Sequence, residues 1–330
     1  MAKLGIKAVL VTGGSGKVGK ALLPELTKAG YSVRAIQFER PVEAEGVEVM
    51  EGDLRDTYLA ARAIEDIDAV IHLANVKENR QHFMATNVRG TFELLDAACK
   101  CRHIKQYIQA GSDARAGIFY YPRPIPIDET HPHAGYPGYY PLSKVLEETL
   151  CEQMRIQHGL AITVLRFSWV QTEDDILAHV TLADPNFGVP VWSELAVSDE
   201  QKSYFRDDVD AVAKLIHPGG AAGIRHIVGL PDVVQAIMLS LDNPTAVGEA
   251  FNVCGPAPFS YDVLARYVSD KLSLPVVDFE YDKFYDFSID VSKSRSVLGY
   301  DPSYDIFRIV DDAIAFRQSG RKRTPLKYPG

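Results

Sequence analysis

The stretch "LVTGGSGKVGKALLPEL", residues 10–26, decides the fold. An apolar run of strand length ends in a turn whose glycines, Gly13, Gly16 and Gly19, are spaced GxxGxxG, and an amphipathic helical pattern starts at once behind it. In such a turn the first glycine permits the tight bend, the second lets backbone approach a pyrophosphate, and the third lets the helix pack on the strand. The helix N-terminus then favours the anion. A glycine turn alone is a weak signal; the strand before it and the helix after it give it weight.

Outward from this turn, strand-length apolar runs alternate with helix-period segments: "YSVRAIQ", "VEVMEGD", "DAVIHLAN", "RGTFELLDAACKC", "HIKQYIQAGS" and "LAITVLRFSWV". That rhythm predicts an α/β fold, a Rossmann-type doubly wound parallel sheet with about seven strands completed by residue 170. "EGDLRD", residues 51–56, places Asp53 and Leu54 at the end of the third strand, on the sheet edge that carries the glycine turn. A carboxylate there could accept the adenine amino group, or simply cap the next helix. After residue 170 the rhythm changes. We expect a dinucleotide-binding domain over 1–170 and a smaller, mainly substrate-binding lobe over 171–330, with segments around 226–255 returning to the sheet.

Composition narrows the function. Thirty-five Lys and Arg against forty-four Asp and Glu leave a net charge of −9, so no overall positive field exists to hold nucleic acid or an anionic membrane. The apolar run in "MAKLGIKAVLVTGG" is too short for a signal segment or a spanning helix, which leads us to expect a cytoplasmic protein. Cys99, Cys101, Cys151 and Cys254 show no metal-ligand spacing and read as reduced and structural. His131 and His133 flank Pro132 without acidic or cysteine partners in ligand spacing, so no metal is expected. His72, inside an apolar strand, reads as a satisfied core histidine, and the basic tail "GRKRTPLK" as a solvated terminus.

"GYYPLSKVLEE", residues 138–148, sets Tyr140 one helical turn before Lys144. Positions i and i+4 share a face, so phenol and ammonium can reach one pocket. A phenol titrates near 10 and is a poor base at neutral pH, but a neighbouring cation favours phenolate.

Taken together, "TGGSGKVG", "GDL", "VIHLAN", "NVRGT", "AGS", "YPLSK" and "LRF" occur in the order of the extended short-chain dehydrogenase/reductase family, the NAD-dependent epimerase/dehydratase group, which this chain resembles over residues 10–167. A weaker likeness continues through "RHIVGLPD" and "DVSKSRSVLGYDP". The resemblance implies an enzyme in which hydride moves between a substrate carbon and a nicotinamide. Tyr140 would be the general acid/base, Lys144 would hold the nicotinamide ribose and favour phenolate, and Ser112 would donate a hydrogen bond to the reacting oxygen. It further implies that the dinucleotide touches Gly13, Gly16, Lys17, Val18, Gly19, Asp53, Leu54, Leu73, Ala74, Asn87 and Phe167. Members of the family often dimerise through the helix carrying the YxxxK pair and its neighbour, here around 90–102 and 139–157, so a homodimer is expected.

Departures from the family pattern bear on the substrate. Where the dehydratase branch has aspartate and glutamate after the serine position, this chain has Asp113 and then Ala114, so the elimination base is missing. Trp169 stands where many nucleotide-sugar enzymes carry an asparagine, and Arg225 remains to meet a phosphate or carboxylate. "GSDARAGIFYYPRPIPIDE" is similar to the corresponding part of hexuronate dehydrogenases, which act on free sugar acids. The reading is an NAD(P)-dependent oxidoreductase acting on a carbinol or ketone of a small, sugar-like substrate, with Asp113, Trp169 and Arg225 on the substrate side. Two alternatives stay open: an epimerase that retains its NAD, and a catalytically silent, NAD(P)-responsive binding protein. The second strand ends at Gln37 rather than an acidic residue, and Arg34 matches an arginine that the family's reductases use near a 2′-phosphate, which leans the choice toward NADP.

Overall fold

The computed structural model describes residues 3–184, 186–207 and 209–323, so the last residues of the basic tail, 324–330, lie outside the described residues. Six strands of the central sheet come from the first half: β1 (Ala8–Thr12), β2 (Ser32–Gln37), β3 (Val47–Glu51), β4 (Ala69–His72), β5 (Gln106–Ser112) and β6 (Ile162–Phe167). Helices α1 (Lys17–Lys28), α2 (Leu59–Ala63), α3 (Gly90–Lys100) and α4 (Tyr139–His158) make the crossovers. Alternation along the strands sends side chains to two separate cores. Val9, Val11, Ala69, Ile71 and Ile108 join one cluster with Leu22 and Leu26 of α1, while Leu10, Val70 and Tyr107 join another with Leu59, Leu94 and Leu95. A sheet buried on both faces must be apolar throughout, which is why these strands read as continuous hydrophobic runs.

Past residue 167 the chain builds β7 (Trp169–Gln171), α5 (Asp175–Val180), α6 (Trp192–Leu195), α7 (Asp199–Arg206), β8 (Val212–Ile216), β9 (Ile224–Arg225), β10 (Ile227–Gly229) and α8 (Leu230–Ser240). Then follow β11 (Ala250–Val253), β12 (Phe259–Ser260), α9 (Tyr261–Leu272), β13 (Val276–Glu280) and α10 (Ile306–Gln318). The seven-stranded sheet runs β11-β6-β5-β4-β1-β2-β3, and all its pairings are parallel. The strand count expected before residue 170 is therefore corrected. "FSWV" is not the end of one strand: β6 stops at Phe167, and β7 turns away to pair with β10. The seventh sheet strand is β11, within the segment expected to return. The remaining short strands pair β9 with β12 and β8 with β13 in the C-terminal lobe.

Strand order reverses between β1 and β4, and ligands of open α/β sheets bind at the carboxyl ends of strands beside such a switch point. The glycine turn follows β1, and Leu73 and Ala74 follow β4. Thr12 ties the two ends together. Its Oγ1 accepts the backbone N–H groups of Leu73 and Ala74, both at 3.2 Å, and donates to His72 Nδ1 at 2.6 Å. His72 Nε2 then donates to Thr91 Oγ1 at 2.9 Å. Burial first, and the Lys144 charge second, push His72 down to about 3, so it is a neutral tie between two strands and α3.

Candidate active site

The glycine turn is shaped for close approach. Gly13 has φ +73°, and a Cβ there would lie 2.7 Å from the Ala74 amide nitrogen. A Cβ on Gly19 would overlap the Gly13 carbonyl and the Gly14 backbone, so the start of α1 seats against the turn only as glycine. Gly16 caps α1 with its N–H donated to Gly13 O at 3.0 Å. No acidic residue occupies the first turn of α1, leaving its positive end to an anion. This cradle fits a dinucleotide pyrophosphate. Val18 packs against the core beside it, and Lys17 reaches across to the C-terminal lobe, where its ammonium lies 2.5 Å from Asp175 Oδ2.

At the adenosine edge the structure departs from the sequence reading. Arg34 lies in the middle of β2, paired with Glu48 of β3 at 3.0 Å, and its Nη1 donates to the carbonyls of Ala63 and Glu65 at 3.0 and 2.7 Å. It lies in mid-strand on the α2 face, and with Nη1 taken by two carbonyls it staples α2 rather than standing free at the carboxyl end of β2. Gln37 does end β2, with its Oε1 accepting the Val42 amide at 2.8 Å. Asp53 follows β3 as expected, but both of its oxygens are taken by Arg55, through the backbone amide at 2.9 Å and Nε at 2.7 Å. Burial pushes Asp53 up, and the Arg55 bonds outweigh it and hold the carboxyl below its ordinary value. Leu54 is buried against Gly90 of α3. Arg55, overlooked in the sequence, lies with its guanidinium 5.4 Å from the Phe38 ring just past β2, which places a cation at this edge.

Ser112, Tyr140 and Lys144 converge at the ends of β5 and α4. Ser112 closes β5, is 4% exposed, donates to Asp113 Oδ1 at 3.2 Å, and stands near enough to the Tyr140 phenol to lower its pKa. Tyr140 occupies the first turn of α4, and Lys144, one turn on, is buried on the same side with Nζ 5.6 Å from the Tyr140 ring centre. Lys144 donates to Ala110 O at 3.0 Å and to Glu147 Oε2 at 2.8 Å. Its burial pushes its pKa down, but Glu147 more than reverses this, so it keeps its charge. Burial raises Tyr140 more than Lys144 lowers it, and the phenol ends above its ordinary value. Lys144 alone therefore does not bring Tyr140 to neutral pH; a further positive charge at the phenol is needed.

One such charge lies in "VKENR", immediately after the β4 run, which the sequence reading passed over. The Lys77 ammonium is 5.2 Å from the Tyr140 ring centre, and burial, then Lys17, push its pKa down. Glu78 caps α4, accepting the amides of Tyr139 and Tyr140 at 2.9 and 3.2 Å. The signal was present as a charge pair directly behind an apolar strand at the switch point. Asn87, expected at the cofactor, is fully buried and ties two elements of the site together. Its Oδ1 accepts the Val76 amide, and its Nδ2 donates to Val76 O and Ser143 Oγ, so it fastens the β4 loop to α4.

On the opposite wall, Arg225 is 7% exposed and held between two rings, 4.7 Å from the Phe119 centre and 4.6 Å from that of Trp169. Its Nη1 donates to Val189 O at 2.8 Å and to the Tyr261 hydroxyl at 3.0 Å, while its buried Nε has no partner. Trp169 Nε1 is likewise buried without a partner. Trp169 also packs against Phe187 and His179, Tyr120 stacks on Tyr136 at 4.6 Å, and Phe167 belongs to the core beneath. Asp113 sits between the walls. Burial pushes its carboxyl up to about 6 against the pull of Ser168, Ser112 and Arg225. The arrangement gathers a phenol, a hydroxyl and two ammonium groups near Asp113, which the aromatic-clamped Arg225 guanidinium also influences.

The model of the NAD dependent epimerase/dehydratase family matches residues 9–181. A UDP-glucose 4-epimerase of Lactobacillus helveticus is 27% identical over 347 residues, covering 97% of this chain and 98% of its own. Among solved structures, a short-chain dehydrogenase/reductase superfamily protein from Agrobacterium tumefaciens with bound NAD is 26% identical, with a TM-score of 0.80 over 95% of this chain and 98% of that one. A UDP-glucuronic acid 4-epimerase from Bacillus cereus in complex with NAD shares the fold at 19% identity, with a TM-score of 0.72 over 94% of this chain and 99% of that one.

Proposed function

The chain belongs to the NAD-dependent epimerase/dehydratase family and is an NAD-dependent enzyme; from that premise we propose that it acts on a carbinol or ketone carbon of a sugar or sugar-derived substrate, with Ser112, Tyr140 and Lys144 as the catalytic set. The observation that carries this reading is the convergence of Tyr140 and Lys144 from one face of α4 on Ser112 at the end of β5, beside the switch point. The nicotinamide, when bound, supplies or accepts the hydride. Tyr140 exchanges a proton with the substrate oxygen, and Ser112 donates to that oxygen as it gains charge. Lys144 favours the phenolate, which the phenol's burial opposes, and the Lys77 ammonium 5.2 Å from the ring centre is placed to add to it.

Arg225 is the group we assign to an anionic part of the substrate, with Trp169 beside it. Its unpaired Nε supports this, since a buried guanidinium donor without a partner is costly unless a ligand completes it. On the cofactor side, Gly13, Gly16, Gly19, Lys17, Leu73 and Ala74 line the proposed pyrophosphate path. The lean toward NADP now rests on Gln37, which brings no negative charge to repel a phosphate, and on Arg55 in place of Arg34.

The second reading, an epimerase that oxidises and re-reduces one carbon with a retained cofactor, is favoured by the end-to-end match to the Lactobacillus helveticus epimerase. A screen of polyols, aldonic acids, uronic acids and sugar nucleotides separates the readings. Net change in nicotinamide absorbance identifies a dehydrogenase, and stereochemical inversion without it identifies an epimerase. No turnover, with dinucleotide binding that alters a protein partner, would replace both with a sensor. We also propose a homodimer through α3 and α4, where Phe92, Leu142 and Ile156 are exposed. Sedimentation at 36.5 kDa alone would remove it.

A further inference from the structure

Asp113 stands between two serines, and their protons cannot satisfy every contact unless Asp113 carries one of its own. Ser168, 3% exposed at the end of β6, has its Oγ 2.6 Å from the His226 carbonyl and 2.9 Å from Asp113 Oδ2. A hydroxyl has one proton, and a carbonyl can only accept. If Ser168 donates to the nearer His226 oxygen, an ionised Asp113 leaves Oδ2 facing a lone pair. If Oδ2 is protonated, Asp113 donates to Ser168, Ser168 donates to His226, and both contacts are hydrogen bonds. The other carboxyl oxygen, Oδ1, lies 3.2 Å from Ser112 Oγ, which accepts the Ala114 amide at 3.1 Å; with Asp113 ionised or protonated at Oδ2, Oδ1 can only accept, so Ser112 is the donor of that contact.

We propose that Asp113 is a positioning residue that decides, by its own protonation, where the Ser112 proton points. Ionised, its Oδ1 bears full charge and takes that proton in a charge-assisted hydrogen bond. Protonated at Oδ2, its Oδ1 is a weaker acceptor, and the Ser112 proton is free for the Tyr140 oxygen or, with substrate bound, for the reacting oxygen. No covalent bond forms; one proton moves on or off Asp113. The groups facing it are Arg225 from β9, which favours the ionised form, Lys77 from the β4 loop, Tyr136 and Tyr140 at the entry to α4, and Cys254 after β11. Burial outweighs Arg225, so the switch falls in the mildly acidic range rather than at an ordinary carboxylate value. The proposal rests on Ser112 and Tyr140 being the reacting pair.

Two spectroscopic tests need no substrate. In infrared difference spectra of the full chain against Asp113→Asn, a protonated-carboxyl band should be lost as pH rises through about 6. Ser168→Ala removes the acceptor of the Asp113 proton and the lone pair that the ionised Oδ2 would face, so it should move that loss to lower pH. A band already absent at about pH 5, above the ordinary aspartate value, would overturn the proposal. The second test follows Tyr140 by alkaline difference absorption against Tyr140→Phe, at a pH where Asp113 is ionised in the wild type. There Ser112→Ala should leave the Tyr140 titration nearly unmoved. In the Asp113→Asn background, where the hydroxyl is free, the same change should raise it by about one pH unit. Equal effects of Ser112→Ala in both backgrounds would overturn the switch. A protein that shows the switch and binds no nicotinamide nucleotide would instead sink the functional reading and leave the Asp113 assignment intact.

Discussion

The two walls of the site are made in opposite ways. The cofactor wall is local: Gly13, Gly16 and Gly19 lie within one turn, and Tyr140 and Lys144 within another. The substrate wall is assembled from remote pieces, with Phe119, Trp169, Val189 and Tyr261, from four different segments, meeting around the Arg225 guanidinium. Local construction fixes geometry by backbone rules that tolerate few residues. Remote construction fixes it by packing, where many combinations serve. On the function proposed above, the first wall serves the reaction and the second the substrate, and substitutions on each should separate turnover from recognition.

The sharpest break is Tyr140→Phe. Turnover should fall by about two to four orders of magnitude, the usual worth of a positioned acid/base. Dinucleotide affinity and thermal stability should stay close to wild type, because the Glu78 cap and the α4 packing do not use the hydroxyl. Steady-state kinetics beside a binding titration checks both, and near-normal turnover would end the acid/base assignment. Next is Gly16→Val. A Cβ at Gly16 meets only the Gly13 carbonyl, at 3.2 Å, and the residue has an ordinary negative φ, so the chain should fold. Dinucleotide binding should be lost, because the side chain fills the space that the pyrophosphate needs. Retained affinity in a folded variant would mean that the cradle is not the anion site.

Arg225→Met tests the other wall. Removing hydrogen bonds to a charged group costs about 1.5–3 kcal/mol, so KM should rise roughly tenfold to a hundredfold with little change in dinucleotide affinity. If kcat falls instead and KM holds, Arg225 serves the chemistry and the division between the walls fails.

The same division explains what could be read in advance. The alternation of strands and helices from β1 to β6 was legible because apolar strands buried on two faces announce themselves, and so was the Tyr140 and Lys144 pair, because helical spacing alone places both on one side. The switch of "FSWV" from the central sheet to a second small one was not legible, since β7 finds its partner at Ile227–Gly229, nearly sixty residues later in sequence. Arg34 misled for a different reason. Its position in a motif suggested a phosphate, whereas strand alternation and the nearby Ala63 and Glu65 carbonyls claim its donors. Lys77 was missed because it belongs to no local pattern. Its meaning comes from the fold's placing the β4 loop over the first turn of α4.

The smallest effect expected is on cofactor choice, and it lies where local and remote construction meet. Gln37 ends β2 with a neutral amide, so nothing at that position repels a 2′-phosphate. Arg55 supplies the positive charge at this edge, but it is already bound to Asp53 through both Nε and its backbone amide, and it is partly open to water. A phosphate would share the guanidinium with Asp53 rather than own it, and solvent screening weakens what it gains. The preference for NADPH over NADH should therefore be slight. Arg55→Leu should weaken NADPH binding severalfold and leave NADH nearly unchanged, whereas Arg34→Ala should change the ratio of the two affinities little, its cost appearing in stability because β2 and α2 lose their staple. Fluorescence titration of both reduced dinucleotides at fixed salt decides it. NADH affinity tenfold or more above that for NADPH in the wild type would defeat the lean, and an equal loss of both dinucleotides in Arg55→Leu would show that Arg55 supports the adenosine edge without reading the phosphate.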